Sequence, residues 1–479
     1  SPLTRLHDTL GLRTSPAIFF GSAAAVVLFT AAMGLFPGPV QAAFGVVSSW
    51  LRYDVGWIYT LSLTLLVAFL FILAVTRYGR VKLGDDDAVP EYSGLTWFGM
   101  MFAAGVGAVL MFWGIAEPMN HYANPPMAGT EPFSDRAASE AMAIANFHFG
   151  IHMWAILLVP GLCFGYFTYK RKLPPRVSSA FQPLLGDRIH GPIGKTIDII
   201  AVVSTVFGLG VSVGLGALQI NAGMNYVLGT PVAGWVQALI LAVVTAVGTA
   251  SVLVGMDKGV KRLSYANIFL AIALLLYLLM FGATTEVLKG TVESAGRYLA
   301  MLPTLSFFNT AWGESDWTGT WTVFYFAWTA TWAPFVGMFI AKISKGRTLR
   351  EFVTVVMFAP SAISVLWFVV FGGTTMWMEL NGHPIGVEGS GENVMFDMLG
   401  NLPLTGITSF LVLVAILIFF TTAADSATNV MGSMSQSGRS NPSTPVTIMW
   451  GLALGLVSMF LLLAGGQFAL SGLQSVMVT

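Results

Sequence analysis

Asp425 is the clearest charged side chain inside a long apolar stretch of this sequence, where it follows residues 419–424 (FFTTAA). A charge within a membrane span is costly, so it indicates a function such as ion coupling or gating. The alternative is a carboxylate bonded to neighbouring donors near the end of its helix. The hydroxyls of Thr421 and Thr422 suit Na⁺, which takes oxygen ligands, but hydroxyls also join neighbouring helices.

Two histidines, His148 and His152, are four residues apart and therefore share one face of a helix. That spacing can bind a metal, but no third or fourth ligand is apparent nearby. Hydrogen-bonded packing is the favoured interpretation, with proton handling second and metal binding last. Cys163 is the only cysteine, which excludes an internal disulfide and a cysteine metal cluster.

Tryptophans recur on one face of the apolar stretch 319–343, at positions 321, 328 and 332. Trp321 suits an interfacial belt, whereas Trp328 and Trp332 fall too deep for one. Deep indole rings attract a quaternary ammonium through cation–π interactions, worth about 0.5–2 kcal/mol per ring. The stretch 141–168 adds Phe147, Phe149 and Trp154.

Residues 102–117 combine small residues with two glycines, Gly105 and Gly107, inside an apolar segment. Each glycine costs a helix interior about 1 kcal/mol relative to alanine. A weak helix at this depth indicates either an unwound binding segment, as in secondary transporters, or close helix packing.

These residues must be positioned by membrane-spanning helices. Of the 479 residues, 55% are hydrophobic and only 10% charged, against about 25% charged in soluble domains. Apolar runs of about 20 residues predict an all-α polytopic membrane protein in a lipid bilayer. We expect eleven spans, at residues 16–36, 56–77, 95–115, 141–168, 196–226, 231–256, 263–285, 319–343, 351–377, 403–432 and 445–466.

The basic residues predict the orientation. With a cytoplasmic N-terminus, 19 of the 23 lysines and arginines fall in inside segments. Only Arg52, Arg136, Lys289 and Arg297 fall outside. The chain begins at Ser1, so we expect the natural protein to start earlier, and the apolar turn near residues 476–478 predicts the start of a further helix.

Two other segments are not predicted to span. Residues 286–312 mix charged and apolar side chains, which suits an amphipathic helix at the outer interface. Residues 169–195 form a basic inside loop ending in Gly194-Lys195, but Ile189 stands where a phosphate loop needs glycine. We therefore expect no nucleotide site. The net charge of zero says nothing about partners, but no basic cluster interleaved with aromatics indicates nucleic acid, so we expect no nucleic-acid partner.

Four passages carry a family resemblance. They are residues 99–118 (GMMFAAGVGAVLMFWGIAEP), 147–155 (FHFGIHMWA), 321–338 (WTVFYFAWTATWAPFVGM) and 424–427 (ADSA). With these passages the chain resembles the betaine/choline/carnitine transporters along essentially its whole length. The resemblance implies a secondary transporter that works as a plasma-membrane homotrimer.

The resemblance also implies a fold. Two peripheral helices would occupy residues 1–94, followed by inverted five-helix repeats of the LeuT type at 95–285 and 319–479. Residues 286–318 would link the repeats, and the twelfth span would be incomplete or absent.

The implied substrate site lies at mid-membrane depth between the broken helix and the aromatic span. Its residues would be Ala104, Gly105, Gly107, Phe149, Trp154, Phe326, Trp328 and Trp332. The implied sodium site would use Ala103, Val106, Thr205, Phe335, Phe419 and Thr422, with Asp425 in gating or coupling. No other cofactor is implied.

Several positions depart from the family pattern. Val109 replaces a third glycine, while Phe326 and Thr329 stand where tryptophans are usual. At the implied ion positions, Ala423 replaces a hydroxyl residue and Leu209 a threonine. Ectoine or a sulfonium compound therefore stays open as substrate, as do proton coupling and ion-independent exchange.

The expected function is alternating-access import of a zwitterionic or quaternary-ammonium osmolyte of the glycine betaine, choline or carnitine type, driven by Na⁺. An enzyme would need a cluster of catalytic groups at one depth, and a channel would need rings of polar residues around an axis. The sequence favours neither.

Overall fold

The structure is a computed structural model that describes residues 4–5, 15–105, 107–254, 259–312, 315–383, 385, 391–436 and 442–465. Side chains at 102–108, 251–264, 426 and 464–465 lie outside this description. The described residues are almost entirely helical, and the bridge between Lys82 and Thr348 is their only strand-like pairing.

Between Ser15 and Phe281, the described residues form eleven α-helices. They are α1 (Pro16–Leu35), α2 (Pro37–Ser49), α3 (Trp57–Val75), α4 (Gly94–Gly105), α5 (Gly107–Ala123), α6 (Asp135–Phe149), α7 (Ile151–Phe164), α8 (Gln182–Leu185), α9 (Pro192–Leu228), α10 (Gly234–Val254) and α11 (Gly259–Phe281).

After Phe281 the described residues form seven more: α12 (Thr284–Ser306), α13 (Phe324–Ile343), α14 (Leu349–Phe368), α15 (Thr374–Leu380), α16 (Val394–Gly400), α17 (Thr405–Ser435) and α18 (Thr444–Gly465). Wider π turns precede or extend some helices, at Trp50–Asp54, Gly165–Lys170, Gly319–Val323 and Val369–Gly373.

Eight helical stretches of the described chain are long and apolar enough to cross a membrane, and each coincides with a predicted span. The predicted span 95–115 falls on α4 and α5, 231–256 on α10, and 263–285 on α11. Helix α11 joins α12 at a bend of 113°, and the pair would make a ninth span if counted together. The chain is therefore a multi-pass membrane protein.

Helix α12 has the amphipathic pattern that the sequence predicts. Its buried residues are Val287, Ser294, Tyr298, Met301 and Leu305, which recur at helical spacing along one side. Glu286, Lys289 and Glu293 are exposed on the other side.

Helices α7 and α13 cross almost backbone to backbone. A Cβ on Gly337 of α13 would lie 2.6 Å from Pro160 Cβ and 2.7 Å from the Gly161 nitrogen of α7. Small residues let two helix backbones approach this closely. In a membrane, van der Waals packing rather than the hydrophobic effect drives such an association. The crossing brings the aromatic rings of α13 next to the junction of α6 and α7.

Candidate functional site

Seven buried or half-buried rings form the aromatic cluster: Trp113, Phe149, Trp321, Phe324, Tyr325, Trp328 and Trp332. Trp113 comes from α5, the helix that follows the small-residue segment. Its ring centroid lies 5.3 Å from that of Tyr325 and 6.5 Å from that of Trp328. The rings of α13 therefore face α5.

The predicted Trp328 and Trp332 lie together in this cluster, with ring centroids 6.3 Å apart. Predicted Phe149, at the end of α6, packs edge-on against Tyr325 at 5.0 Å. The other two predicted aromatics lie elsewhere. Phe326 stacks on His152 at 6.0 Å, and Trp154 is fully buried without a ring contact to any described aromatic residue.

Some side chains of the cluster also carry hydrogen-bond donors in addition to their ring faces. The indole N–H of Trp328 donates to Ser212 Oγ on α9 at 3.1 Å. The Trp332 indole nitrogen is buried and has no hydrogen-bond partner in the described chain. Buried polar groups of this kind are usually satisfied, so they mark places where a ligand or water fits.

The predicted backbone donors flank the junction of α4 and α5. Helix α4 ends at Gly105 and α5 begins at Gly107, while Val106 and the side chains of Ala103 and Ala104 lie outside the described residues. The next turn of α5 is held by side chains from other helices. The Trp367 indole donates to Leu110 O and the Gln219 amide to Met111 O, each at 3.1 Å.

Four of the predicted ion residues lie on three neighbouring helices, α9, α13 and α17. Thr205 of α9 donates to Ala201 O at 2.7 Å, and Thr422 of α17 donates to Ile418 O at the same distance. Each hydroxyl uses its proton on its own helix, which leaves oxygen lone pairs free to coordinate a cation. Phe335 is buried on α13, and Phe419 is half-buried on α17.

Asp425 is 3% exposed and lies on α17 where that helix packs against α10. A Cβ on Gly248 of α10 would lie 3.6 Å from the Asp425 backbone nitrogen. The carboxylate therefore lies inside the helix packing rather than on the lipid-facing side.

A second group of side chains, the Glu117 cluster, adjoins the aromatic cluster and consists of Glu117, His121, His148, Trp317, Thr322 and Tyr325. His148 Nδ1 lies 2.5 Å from Glu117 Oε1, and His148 Nε2 lies 2.9 Å from Thr322 Oγ1. His121 Nε2 is 3.4 Å from the same carboxylate oxygen. Glu117 is 0% exposed and both histidines are 1% exposed.

Glu117, His121 and His148 are the one set of three in the described chain whose ligand atoms could hold a metal, since these atoms lie within 4.8 Å of one another. The hydrogen bonds oppose this use. The Trp317 indole N–H donates to His121 Nδ1 at 3.4 Å, so the proton of neutral His121 is on Nε2, the atom facing Glu117. A metal on Nε2 would place two N–H donors against each other.

Sequence reasoning missed Glu117 and His121 because it ended the predicted span at residue 115. Helix α5 continues to Ala123 through Pro118. The available signal was their spacing of four residues in the continuation of an apolar helix. His148 and His152 are both hydrogen-bonded, as the favoured interpretation predicts, with His152 Nε2 3.2 Å from Ser306 Oγ.

Comparison with known proteins gives consistent matches along the chain. Residues 17–479 match the family model described as BCCT, betaine/carnitine/choline family transporter. The chain is 45% identical to the ectoine/glycine betaine/proline transporter EctP of Corynebacterium glutamicum, over 98% of this chain and 77% of that protein. It is 40% identical to the glycine betaine transporter OpuD of Bacillus subtilis, over 93% and 88%. It is 36% identical to the betaine/ectoine transporter LcoP of C. glutamicum, over 96% and 74%.

Proposed function

Because this chain belongs to the betaine/carnitine/choline transporter family, we propose that it is a transporter of a small zwitterionic compatible solute, with glycine betaine as the leading substrate. The observation that carries the proposal is the aromatic cluster, in which Trp113 of α5 faces Tyr325 and Trp328 of α13. A trimethylammonium group binds such rings without a counter-charge.

The substrate carboxylate would meet backbone N–H groups near Ala104, Gly105 and Gly107, where one helix ends and the next begins. Helix N-termini favour negative charge, and α5 begins at Gly107. Ectoine has a delocalised cation and a carboxylate, so it suits the same arrangement. It is also named for two of the relatives, EctP and LcoP. Choline lacks the carboxylate, and we place it below both zwitterions.

The proposed mechanism is alternating access through two inverted five-helix repeats, at 95–285 and 319–479, in a homotrimer with a cytoplasmic N-terminus in the cell membrane. The ring contact between Trp113 of α5 and Tyr325 of α13, helices near the starts of the two proposed repeats, supports a site between them. We favour Na⁺ as the ion that drives transport, bound by Thr205, Thr422 and the backbone of α4. Proton-coupled symport and ion-independent exchange are the alternatives.

Uptake into proteoliposomes tests the proposal. Labelled glycine betaine, choline and ectoine are offered with and without an inward Na⁺ gradient. We expect accumulation of betaine, ectoine or both with the gradient, and weak uptake of choline. Accumulation of none of the three would overturn the substrate class, whereas uptake only by counterflow would establish exchange.

Trp328→Ala tests the site itself. Loss of one cation–π contact of about 0.5–2 kcal/mol predicts a KM for betaine raised roughly 2- to 30-fold. Trp235→Ala is the matched control, because Trp235 is 66% exposed on α10. An unchanged KM in Trp328→Ala would remove that ring from the substrate site.

A further inference from the structure

The Glu117 carboxylate is fully buried, and within the described ranges no lysine or arginine forms an ion pair with it. Its neighbours are His148 Nδ1 at 2.5 Å and His121 Nε2 at 3.4 Å. A lone carboxylate in such a place is unfavourable, because its charge has lost water and gained no opposite charge.

The protonation states of the two histidines follow from their other partners. His121 accepts the Trp317 N–H on Nδ1, so in its neutral form it presents N–H to Glu117. His148 presents Nδ1 to Glu117 and Nε2 to Thr322, whose hydroxyl can either donate or accept. His148 can therefore be neutral or charged without losing either contact.

One added proton removes the buried charge. With a proton on either Glu117 or His148, the pair has no net charge; without it, the pair carries one negative charge. Oε1 and Nδ1 lie 2.5 Å apart, within hydrogen-bonding distance, so a proton lies between them. Burial of the carboxylate therefore favours the pair with the added proton.

Among the described residues, no other group facing the pair supplies the missing positive charge. The titratable groups around it are His121 on the same helix, His152 on α7 and Tyr325 on α13, whose ring is 4.9 Å from that of His148. On α12, Arg297 lies 3.0 Å from Glu140 and so is already paired.

We propose that Glu117 and His148 form a proton-binding site, occupied by one proton when the ends of α5, α6 and α13 are packed together. The proton comes from water, binds the pair without breaking a covalent bond, and returns to water when these helix ends separate and the carboxylate is hydrated. That this end faces outside rests on the proposed function and its topology; the proton site itself does not.

The direction of the pH effect follows from linkage. At about pH 7 to 9 an unfolded chain holds almost no proton on Glu and little on His, whereas the packed pair holds one. Raising the pH therefore removes a proton from the folded state and lowers its stability. For transport, alkaline outside solution disfavours closure of this end and slows uptake.

The thermal midpoint of purified protein, measured without any solute between about pH 6 and about pH 9, tests proton binding directly. We expect the wild-type midpoint to fall across the upper part of this range, while Glu117→Gln, whose carboxamide needs no proton, stays nearly flat. Glu286→Gln changes an exposed carboxylate on α12 and should retain the wild-type profile.

Uptake is also measured at varied outside pH and a fixed Na⁺ gradient. We expect the wild-type uptake rate to fall by more than half at the alkaline end of the range. A pH-independent wild-type midpoint would overturn the proposal even if Glu117→Gln failed to fold. Equal pH profiles for wild type and Glu117→Gln would overturn it too. If the midpoints behave as expected but no osmolyte is carried, the proton site stands and the proposed function fails.

Discussion

The hydroxyl of Tyr298 accepts a hydrogen bond from the backbone N–H of Ile151 at 3.0 Å. Ile151 begins α7 directly after Gly150, where the backbone departs from helical geometry with φ −98° and ψ −132°. On the other side of this junction, Ser364 Oγ donates to the Phe149 carbonyl at 3.3 Å. Side chains from α12 and α14 thus satisfy backbone groups that the interruption leaves free.

Tyr298→Phe should loosen this junction. The change leaves a buried N–H without an acceptor, which costs about 1–3 kcal/mol. Because Phe149 of the aromatic cluster adjoins the junction, we expect a lower thermal midpoint together with a higher KM for betaine. Tyr265→Phe, at a 62% exposed position on α11, is the control. Matching results for the two variants would show that this hydrogen bond does not hold the junction.

Gly337→Ala should separate α7 from α13. Its Cβ would meet backbone and ring atoms that cannot rotate away, at 2.6 Å and 2.7 Å. Overpacking of this kind costs about 1–3 kcal/mol. Gly296→Ala on α12 has open space and should gain up to about 1 kcal/mol from helix propensity. Thermal midpoints of the purified variants compare the two, and a Gly337→Ala midpoint at or above wild type would contradict the close crossing.

Thr205→Val and Thr422→Val test the proposed sodium site. Each change removes one oxygen ligand but keeps the shape of the side chain. We expect the half-saturating Na⁺ concentration for uptake to rise roughly tenfold, equivalent to about 1.4 kcal/mol. Thr408→Val, elsewhere on α17, also removes a hydroxyl that bonds its own helix and should leave Na⁺ dependence unchanged. An identical response in all three variants would place sodium elsewhere.

Acid should break an ion pair between two loops on the predicted cytoplasmic side. The Lys172 ammonium donates to Asp85 at 2.9 Å and lowers the pKa of that carboxyl. Since the folded pKa lies below the unfolded value of about 3.9, the pair stabilises the fold above that value and loses its effect as pH falls through the folded pKa. The thermal midpoint of Asp85→Asn should be slightly below that of wild type near neutral pH and equal to it in acid. Asp87→Asn, at an exposed position without an ion pair among the described residues, should match wild type throughout.

The helices could be located from the sequence because apolar length is a local property. Eight predicted spans coincide with helices that can cross a membrane, and residues 286–312 contain the predicted amphipathic helix. The end of α5 could not be located, because Pro118 and the polar residues after it lower the local apolarity without ending the helix. Glu117 and His121 lie in this unpredicted part of α5, so the Glu117 cluster was not predicted either.

The aromatic site was predicted only in part, because periodicity identifies residues that share a face but not the helix that the face meets. Trp328 and Trp332 share a face and lie in one cluster. Phe326, one residue after Tyr325, points to His152 instead. Trp113 was missed because its direction depends on how α5 is rotated relative to α13, which no local pattern encodes.

The π turn at Gly319–Val323 has a consequence for comparing relatives. A π turn holds an inserted residue within an otherwise α-helical segment. Deleting one residue here would return the segment to α-helical winding without turning the residues after it, because the wider turn absorbs the extra residue. Trp328 would still face Trp113. A single-residue gap at 319–323 in a relative therefore leaves the same set of rings facing the site.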